Sequence, residues 1–202
     1  MNIYLLRHGE STDDIEDCYG GIADFPLTEA GKRTAEALAQ KLSASKIEIL
    51  YSSPYKRALE TAKFISGSLR CELKVIPDLR ERNSYGVLSG VKKEVAKQIF
   101  ADVISGLKSK PGDYYAGESV IGDEPVVSFD ARVKDAIGKV IGEATNTKTI
   151  GIVTHGNVTR SIYKHLLGVA GKVDLDLLAM TIIESTNGRL TIKSSEGVTI
   201  KN

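Results

Sequence analysis

Two of the three histidines in this chain stand at the ends of short apolar runs. One run is Ile3-Tyr4-Leu5-Leu6-Arg7-His8-Gly9-Glu10, and the other is Ile150-Gly151-Ile152-Val153-Thr154-His155-Gly156-Asn157. Each histidine is followed by glycine, which lets a ligand come close to the backbone. A third polar group, Ser52-Ser53-Pro54, closes the run Ile49-Leu50-Tyr51 and leads into Arg57. Glu81 follows shortly after a fourth run, Leu73-Lys74-Val75-Ile76. Arg7 and Arg57 beside His8 and His155 describe a cationic pocket for an anion the size of phosphate, because guanidinium forks match phosphate oxygens. Backbone N–H groups at a helix start would add to that attraction.

Strands and helices must bring these groups together. Residues 2–7, 47–52, 73–76 and 149–154 read as short buried strands, rich in β-branched and aliphatic residues. Helical patterns lie between them. The first covers 28–43 with Thr28 as N-cap, and the second covers 54–69 with Ser53 as cap and Pro54 in its first turn. A third runs from about Val158 to Leu167 and is closed by Gly168. This alternation predicts an α/β fold with a mostly parallel sheet and helices on both faces. In such sheets ligands bind at the carboxyl ends of strands, where all four polar groups fall. The stretch 81–147 carries helical patterns at about 91–106 and 127–143 but no good strand, so it reads as a helical insertion over the sheet's active-site edge. From Leu178 to Lys201 three β-like segments follow, and Asn187-Gly188 is a hairpin turn signal.

The whole chain, 1–202, is expected to be a single domain. Its 27 Lys+Arg against 26 Asp+Glu leave a net charge of +1, so no basic surplus points to nucleic acid or an anionic membrane. Any anion affinity must come from a few placed residues. Cys18 and Cys71 form no CxxC pair, and no HxxxH-type spacing suggests a metal. The apolar start ends at Arg7, too soon for a signal peptide. A reducing cytoplasm is the expected location, with no nucleic-acid or membrane partner and a homodimer as one open option.

In order along the chain stand Arg7-His8-Gly9-Glu10-Ser11, then Asp24-Phe25-Pro26-Leu27-Thr28-Glu29-Ala30-Gly31, then Ser52-Ser53-Pro54-Tyr55-Lys56-Arg57-Ala58-Leu59-Glu60-Thr61-Ala62. Leu79-Arg80-Glu81-Arg82, Gly117-Glu118-Ser119 and Val153-Thr154-His155-Gly156 complete the set. Together these blocks resemble the histidine phosphatase superfamily, which includes the phosphoglycerate mutases, over most of the chain. The resemblance implies that His8 is a nucleophile forming a phosphohistidine. It implies that Arg7, Arg57 and His155 clamp the phosphoryl oxygens, and that Glu81 handles the proton of the leaving oxygen. It also puts Asp14, Gly21, Asn157, Arg82, Tyr85 and Lys93 among the substrate- and phosphate-binding positions. At Asp14 the family usually has Asn; a carboxylate there would repel phosphate unless protonated or turned away toward an arginine. No metal is implied.

The superfamily's two chemistries differ in what receives the phosphoryl group. Glu81-Arg82 followed by Tyr85-Gly86-Val87-Leu88-Ser89-Gly90, with Lys93 three residues on and Arg160 after His155-Gly156-Asn157, resembles the mutase branch. Against this, the chain has no Arg-Arg pair and offers Lys108, Lys110 and Tyr114-Tyr115 in the insertion instead. Gly117-Glu118-Ser119 before a helix that holds Arg132 resembles the phosphatase branch. The segment Gly197–Asn202 reads as a strand, not as a tail covering the site. The expected activity is hydrolysis of a small phosphorylated metabolite, without cofactor. The alternative is a mutase that uses 2,3-bisphosphoglycerate. A third reading, a non-catalytic phosphate-binding module, would show no turnover to lose in a His8→Ala variant.

Overall fold

A computed structural model describes residues 1–102, 104 and 120–201. Strand β1 (Asn2–Arg7) is followed by a short helix α1 (Thr12–Ile15) and by α2 (Glu29–Lys41). Then come β2 (Ile49–Ser52), α3 (Lys56–Leu69), β3 (Glu72–Val75) and α4 (Lys93–Ile99). The chain continues with α5 (Val126–Glu143), β4 (Thr149–Thr154), α6 (Gly156–His165), β5 (Lys172–Thr186) and β6 (Arg189–Lys201). The six strands form one sheet in the order β3-β2-β4-β1-β5-β6. The first four are parallel, and β5 and β6 add antiparallel strands on the β1 side.

The pleat sends alternate side chains to opposite faces. Ile3 and Leu5 of β1, with Ile150 and Ile152 of β4, pack against Phe129, Val133, Ile137 and Val140 of α5 and Val158 and Ile162 of α6. Leu6, Leu50 and Val153 face the other way, onto Leu38 of α2 and Ala58, Ala62 and Ile65 of α3. Burial on both faces makes every residue of β4 buried, which is why TIGIVT reads as an unbroken apolar run. The fold is therefore the α/β sheet with helices on both faces that the sequence pattern implies.

Several boundaries differ from the sequence reading. The helix placed at 54–69 begins at Lys56, and Ser53 does not cap it through its side chain. The Lys56 N–H instead donates to Asp24 Oδ1 at 2.6 Å, a partner far off in sequence. The helix placed from Val158 begins at Gly156, with His155 in the N-cap position. The helix placed at 28–43 runs over Glu29–Lys41, and its cap holds as read: Thr28 Oγ1 accepts from the Gly31 N–H at 2.8 Å. The pattern at 91–106 gives α4 over Lys93–Ile99, and residues 101, 102 and 104 are again helical. In place of three tail segments there are two long strands, and the first begins earlier, at Lys172. Asn187 and Gly188 form the turn between them with positive φ of 51° and 78°, as a two-residue hairpin of this handedness requires. Gly117-Glu118-Ser119, Lys108, Lys110 and Tyr114-Tyr115 lie outside the described residues.

Candidate active site

Parallel pairing of β1 with β4 places Arg7 opposite Thr154, so His8 and His155 leave the sheet side by side. Their ring centroids are 5.1 Å apart. His8 is 5% exposed and His155 fully buried. His8 Nδ1 lies 2.7 Å from the carbonyl oxygen of Gly9. A carbonyl only accepts, so Nδ1 carries the proton and Nε2 keeps its lone pair. Burial, reinforced by the Arg57 and Arg7 guanidiniums, holds His8 well below the ordinary imidazole value. The ring is thus neutral, in the tautomer that leaves Nε2 nucleophilic. The turn itself is fixed because the Gly9 N–H donates to Thr61 Oγ1 of α3 at 3.1 Å.

His155 is tied to the neighbouring strand end, with Nε2 2.7 Å from Ser53 Oγ. Its Nδ1 is buried without a hydrogen-bond partner among the described residues, and so is Arg7 Nε. Burial first, then the Arg57 guanidinium with those of Arg7 and Arg132 behind it, keep His155 well below its ordinary value too. Arg7 is lowered mainly by burial, against the attraction of Glu81, and its Nη1 donates to the Leu175 carbonyl at 2.6 Å. Arg57, on the first turn of α3 and 3% exposed, donates Nη1 to Ala23 O at 2.8 Å and Nη2 to Gly21 O at 2.9 Å. These bonds fold the loop after α1 over the guanidinium. Gly21 has φ +55°, and a Cβ there would come within 2.7 Å of Ser89 Oγ, so the loop needs glycine at this point.

A cavity of about 310 Å³ opens at this end of the sheet. Arg7, His8, Arg57 and Glu81 line it, and so do Asp14, Gly21, Arg82, Tyr85, Lys93 and Asn157. Each of the catalytic and binding positions expected from the sequence, except His155, therefore reaches the cavity wall, and the His155 ring adjoins that of His8. Glu81 accepts the Arg82 N–H at 2.9 Å on one oxygen and the Asn157 N–H at 3.2 Å on the other. That second bond joins the acid to the first turn of α6, immediately after His155-Gly156.

Other members are turned to other work. Asp14 bends back to the start of α1, its Oδ2 accepting from the Ser11 N–H at 2.9 Å. This closes a capping box, which accounts for a carboxylate at this position. Arg82 is 1% exposed; its Nε donates to the Glu124 carbonyl at 2.9 Å and its guanidinium faces Asp123. Lys93 pairs with Asp17, which raises its ammonium above the ordinary value. The Tyr85 ring stacks at a tilt on Tyr19, 5.0 Å between centroids, and burial raises its phenol. Glu10, two residues after His8, accepts the Thr28 hydroxyl.

A family model described as the histidine phosphatase superfamily (branch 1) matches residues 3–196. The chain belongs to the histidine phosphatase superfamily. It is 33% identical over 174 residues to phosphoglycerate mutase-like protein 4 of Arabidopsis thaliana, covering 85% of this chain and 74% of that one. It is 30% identical to phosphoserine phosphatase 1 of Hydrogenobacter thermophilus, over 84% of this chain and 77% of the other. The crystal structure of phosphoglycerate mutase from Bacillus anthracis matches the fold with a TM-score of 0.82, at 23% identity over 96% of this chain and 92% of that one. A 2,3-bisphosphoglycerate-dependent phosphoglycerate mutase of Mesorhizobium japonicum is also 30% identical, over 96% of this chain and 96% of that one, so relatives named for both chemistries stand at similar identity. No described helix is long and apolar enough to cross a membrane.

Two residues of this superfamily site were absent from the sequence-based set. Ser53 holds His155, and its signal was its place at the end of β2, where it was assigned to capping. Thr61 holds the Gly9 turn from one helical turn beyond Arg57. Arg160, which the sequence offers only through its likeness to the mutase branch, lines the cavity, donating Nε to Val173 O at 2.8 Å and Nη1 to Asn157 Oδ1 at 3.3 Å. It stands four residues after Gly156, on the same helix face.

Proposed function

We propose that this chain is a phosphatase that hydrolyses a small phosphomonoester through a phosphohistidine on His8. The observation that carries the reading is the His8 ring: neutral, with Nδ1–H committed to Gly9 O and Nε2 free to attack, beside the guanidiniums of Arg57, which is buried, and Arg7, which is partly so. In the first step Nε2 attacks phosphorus, the P–O bond to the alcohol breaks, and Glu81 gives its proton to the departing oxygen. In the second, water attacks the phosphohistidine, its proton passes to Glu81, and the P–N electron pair returns to His8. Arg7, Arg57 and His155 stabilise charge on the transferring group in both steps. Arg7 Nε and His155 Nδ1 are suited to this, because a buried polar nitrogen without a partner costs about 1–3 kcal/mol that an oxyanion would recover. Arg57 spends two of its five N–H groups on the loop and keeps others for phosphate.

Two features favour water over a second substrate hydroxyl as acceptor. Lys93, the cation a mutase would need for the rest of its substrate, is already neutralised by Asp17. Residues 189–201 are taken up as the sheet's outer strand, and none of them lines the cavity. One feature favours the mutase reading: Arg160 beside Asn157 offers a further cation for a second anionic group.

Phosphorus NMR of the purified protein with 3-phosphoglycerate and a trace of 2,3-bisphosphoglycerate separates them. Inorganic phosphate alone supports the phosphatase and sends the search to a panel of phosphomonoesters. 2-Phosphoglycerate at many turnovers with little inorganic phosphate establishes the mutase. No turnover on any phosphomonoester, with phosphate still bound, leaves the binding-module reading.

A further inference from the structure

Glu81 stands on a segment without regular hydrogen bonding, yet a proton donor must be held to within a fraction of an ångström. The three carbonyls before it are each fixed by a side chain from another element. Arg132 of α5 donates Nη1 to Asp78 O at 2.7 Å and to Arg80 O at 3.1 Å. Thr154, the last residue of β4, donates Oγ1 to Leu79 O at 2.8 Å. The other edge of the Arg132 guanidinium forms a two-pronged pair with Glu124, Nε to Oε1 at 2.8 Å and Nη2 to Oε2 at 2.7 Å. Glu124 in turn holds the residues after the acid: its carbonyl accepts from Arg82 Nε, and its N–H donates to Asn83 O at 2.8 Å. Arg132 is 10% exposed in its side chain and Glu124 19%, and the guanidinium also lies 5.1 Å from the Phe129 ring. A planar fork with five donors can serve a carboxylate and two carbonyls at once; a lysine cannot.

We infer that Arg132, paired with Glu124, is a positioning residue that sets Glu81 for proton transfer to the leaving oxygen. The inference rests on the acid role proposed for Glu81, and the test separates the two. An alkoxide leaving group needs that proton, whereas p-nitrophenolate leaves without it. The readout is therefore kcat/KM, which ends at departure of the first leaving group, for an alkyl phosphate relative to p-nitrophenyl phosphate. Arg132→Met lowers this alkyl-to-aryl ratio by roughly 10-fold to 10²-fold, the size expected from misplacing a catalytic group by about 1 Å. Arg132→Lys lowers it less, and it carries the test if the methionine variant does not fold. Glu81→Gln lowers the ratio at least as far, and Glu81→Gln with Arg132→Met lowers it no further, because one residue acts through the other.

An equal loss on both substrates in the Arg132 variants, with the ratio of wild type, overturns the inference and makes Arg132 a fold residue only. A ratio that falls in Glu81→Gln but not in either Arg132 variant overturns the positioning role and leaves Glu81 as the acid. A ratio that does not move in Glu81→Gln overturns the acid role and the inference with it.

Discussion

His8 and His155 are both buried beside guanidiniums and both held neutral, so acid should unfold this protein earlier than its carboxylates alone would. In the unfolded chain each imidazole takes up a proton around pH 6.5, and in the folded chain only well below that. Stability rises with pH wherever the unfolded state binds more protons. The contribution of each ring is therefore fully present above pH 6.5 and is lost as pH falls from there toward the folded value. Between pH 7.5 and 5.5 the loss is on the order of 1 kcal/mol for each histidine. Against the 5–15 kcal/mol typical of a domain, this is large. The assay is urea unfolding at half-unit pH steps on wild type and on His8→Gln. Subtracting the two curves isolates one ring, so the difference should change by on the order of 1 kcal/mol over that range, with wild type the steeper. A difference that stays constant with pH would refute the argument, for it would mean that His8 titrates in the fold as it does in the unfolded chain; a difference that shrinks as pH rises would mean that the ring is protonated in the fold and cannot attack phosphorus.

Other outcomes follow from single contacts. Ser53→Ala leaves His155 Nε2 buried without its partner, and should cost about 1–3 kcal/mol in thermal or urea unfolding together with a loss of kcat. Arg57→Lys cannot hold both Gly21 O and Ala23 O and still reach phosphate; kcat/KM should fall about 10²-fold. Gly86 has φ +49°, and a Cβ there would stand 2.2 Å from the Ile121 carbonyl oxygen. Gly86→Ala should therefore lower the urea midpoint by the equivalent of more than about 1 kcal/mol. Orthovanadate or phosphate at a hundred times its Kd should raise unfolding free energy by about 2.7 kcal/mol, and Arg7→Met should abolish that gain.

The strands that end at His8 and His155 were legible because burial on both faces leaves an unbroken apolar signature. Thr28 was legible as a cap because its partner, Gly31, is three residues away. What could not be read depends on residues distant in sequence. Asp24 supplies the start of α3, which freed Ser53 to hold His155. Asp14 is the exception: Ser11-x-x-Asp14 has the local spacing of a capping box, a signal masked by its match to a phosphate-binding position of the family. Lys93 and Arg82 match binding positions through the family resemblance, whereas their ion pairs with Asp17 and Asp123 are set by tertiary packing. The role of Arg132 lay deeper still, since nothing local links it to the carbonyls of Asp78 and Arg80.

The pairing of β1 with β4 has a consequence for synthesis. Ile3 meets Ile150, and on the other side Ile183, so the first strand leaves the ribosome with neither neighbour yet made. At roughly 5–20 residues per second it waits about 10–30 s for β4, and longer for β5. Throughout that interval Ile3, Leu5 and Leu6 are uncovered, and Arg7-His8 has no second histidine beside it. The site is therefore incomplete while β1 is most dependent on chaperones, and it closes only when residues 149–186 have joined residues 2–7.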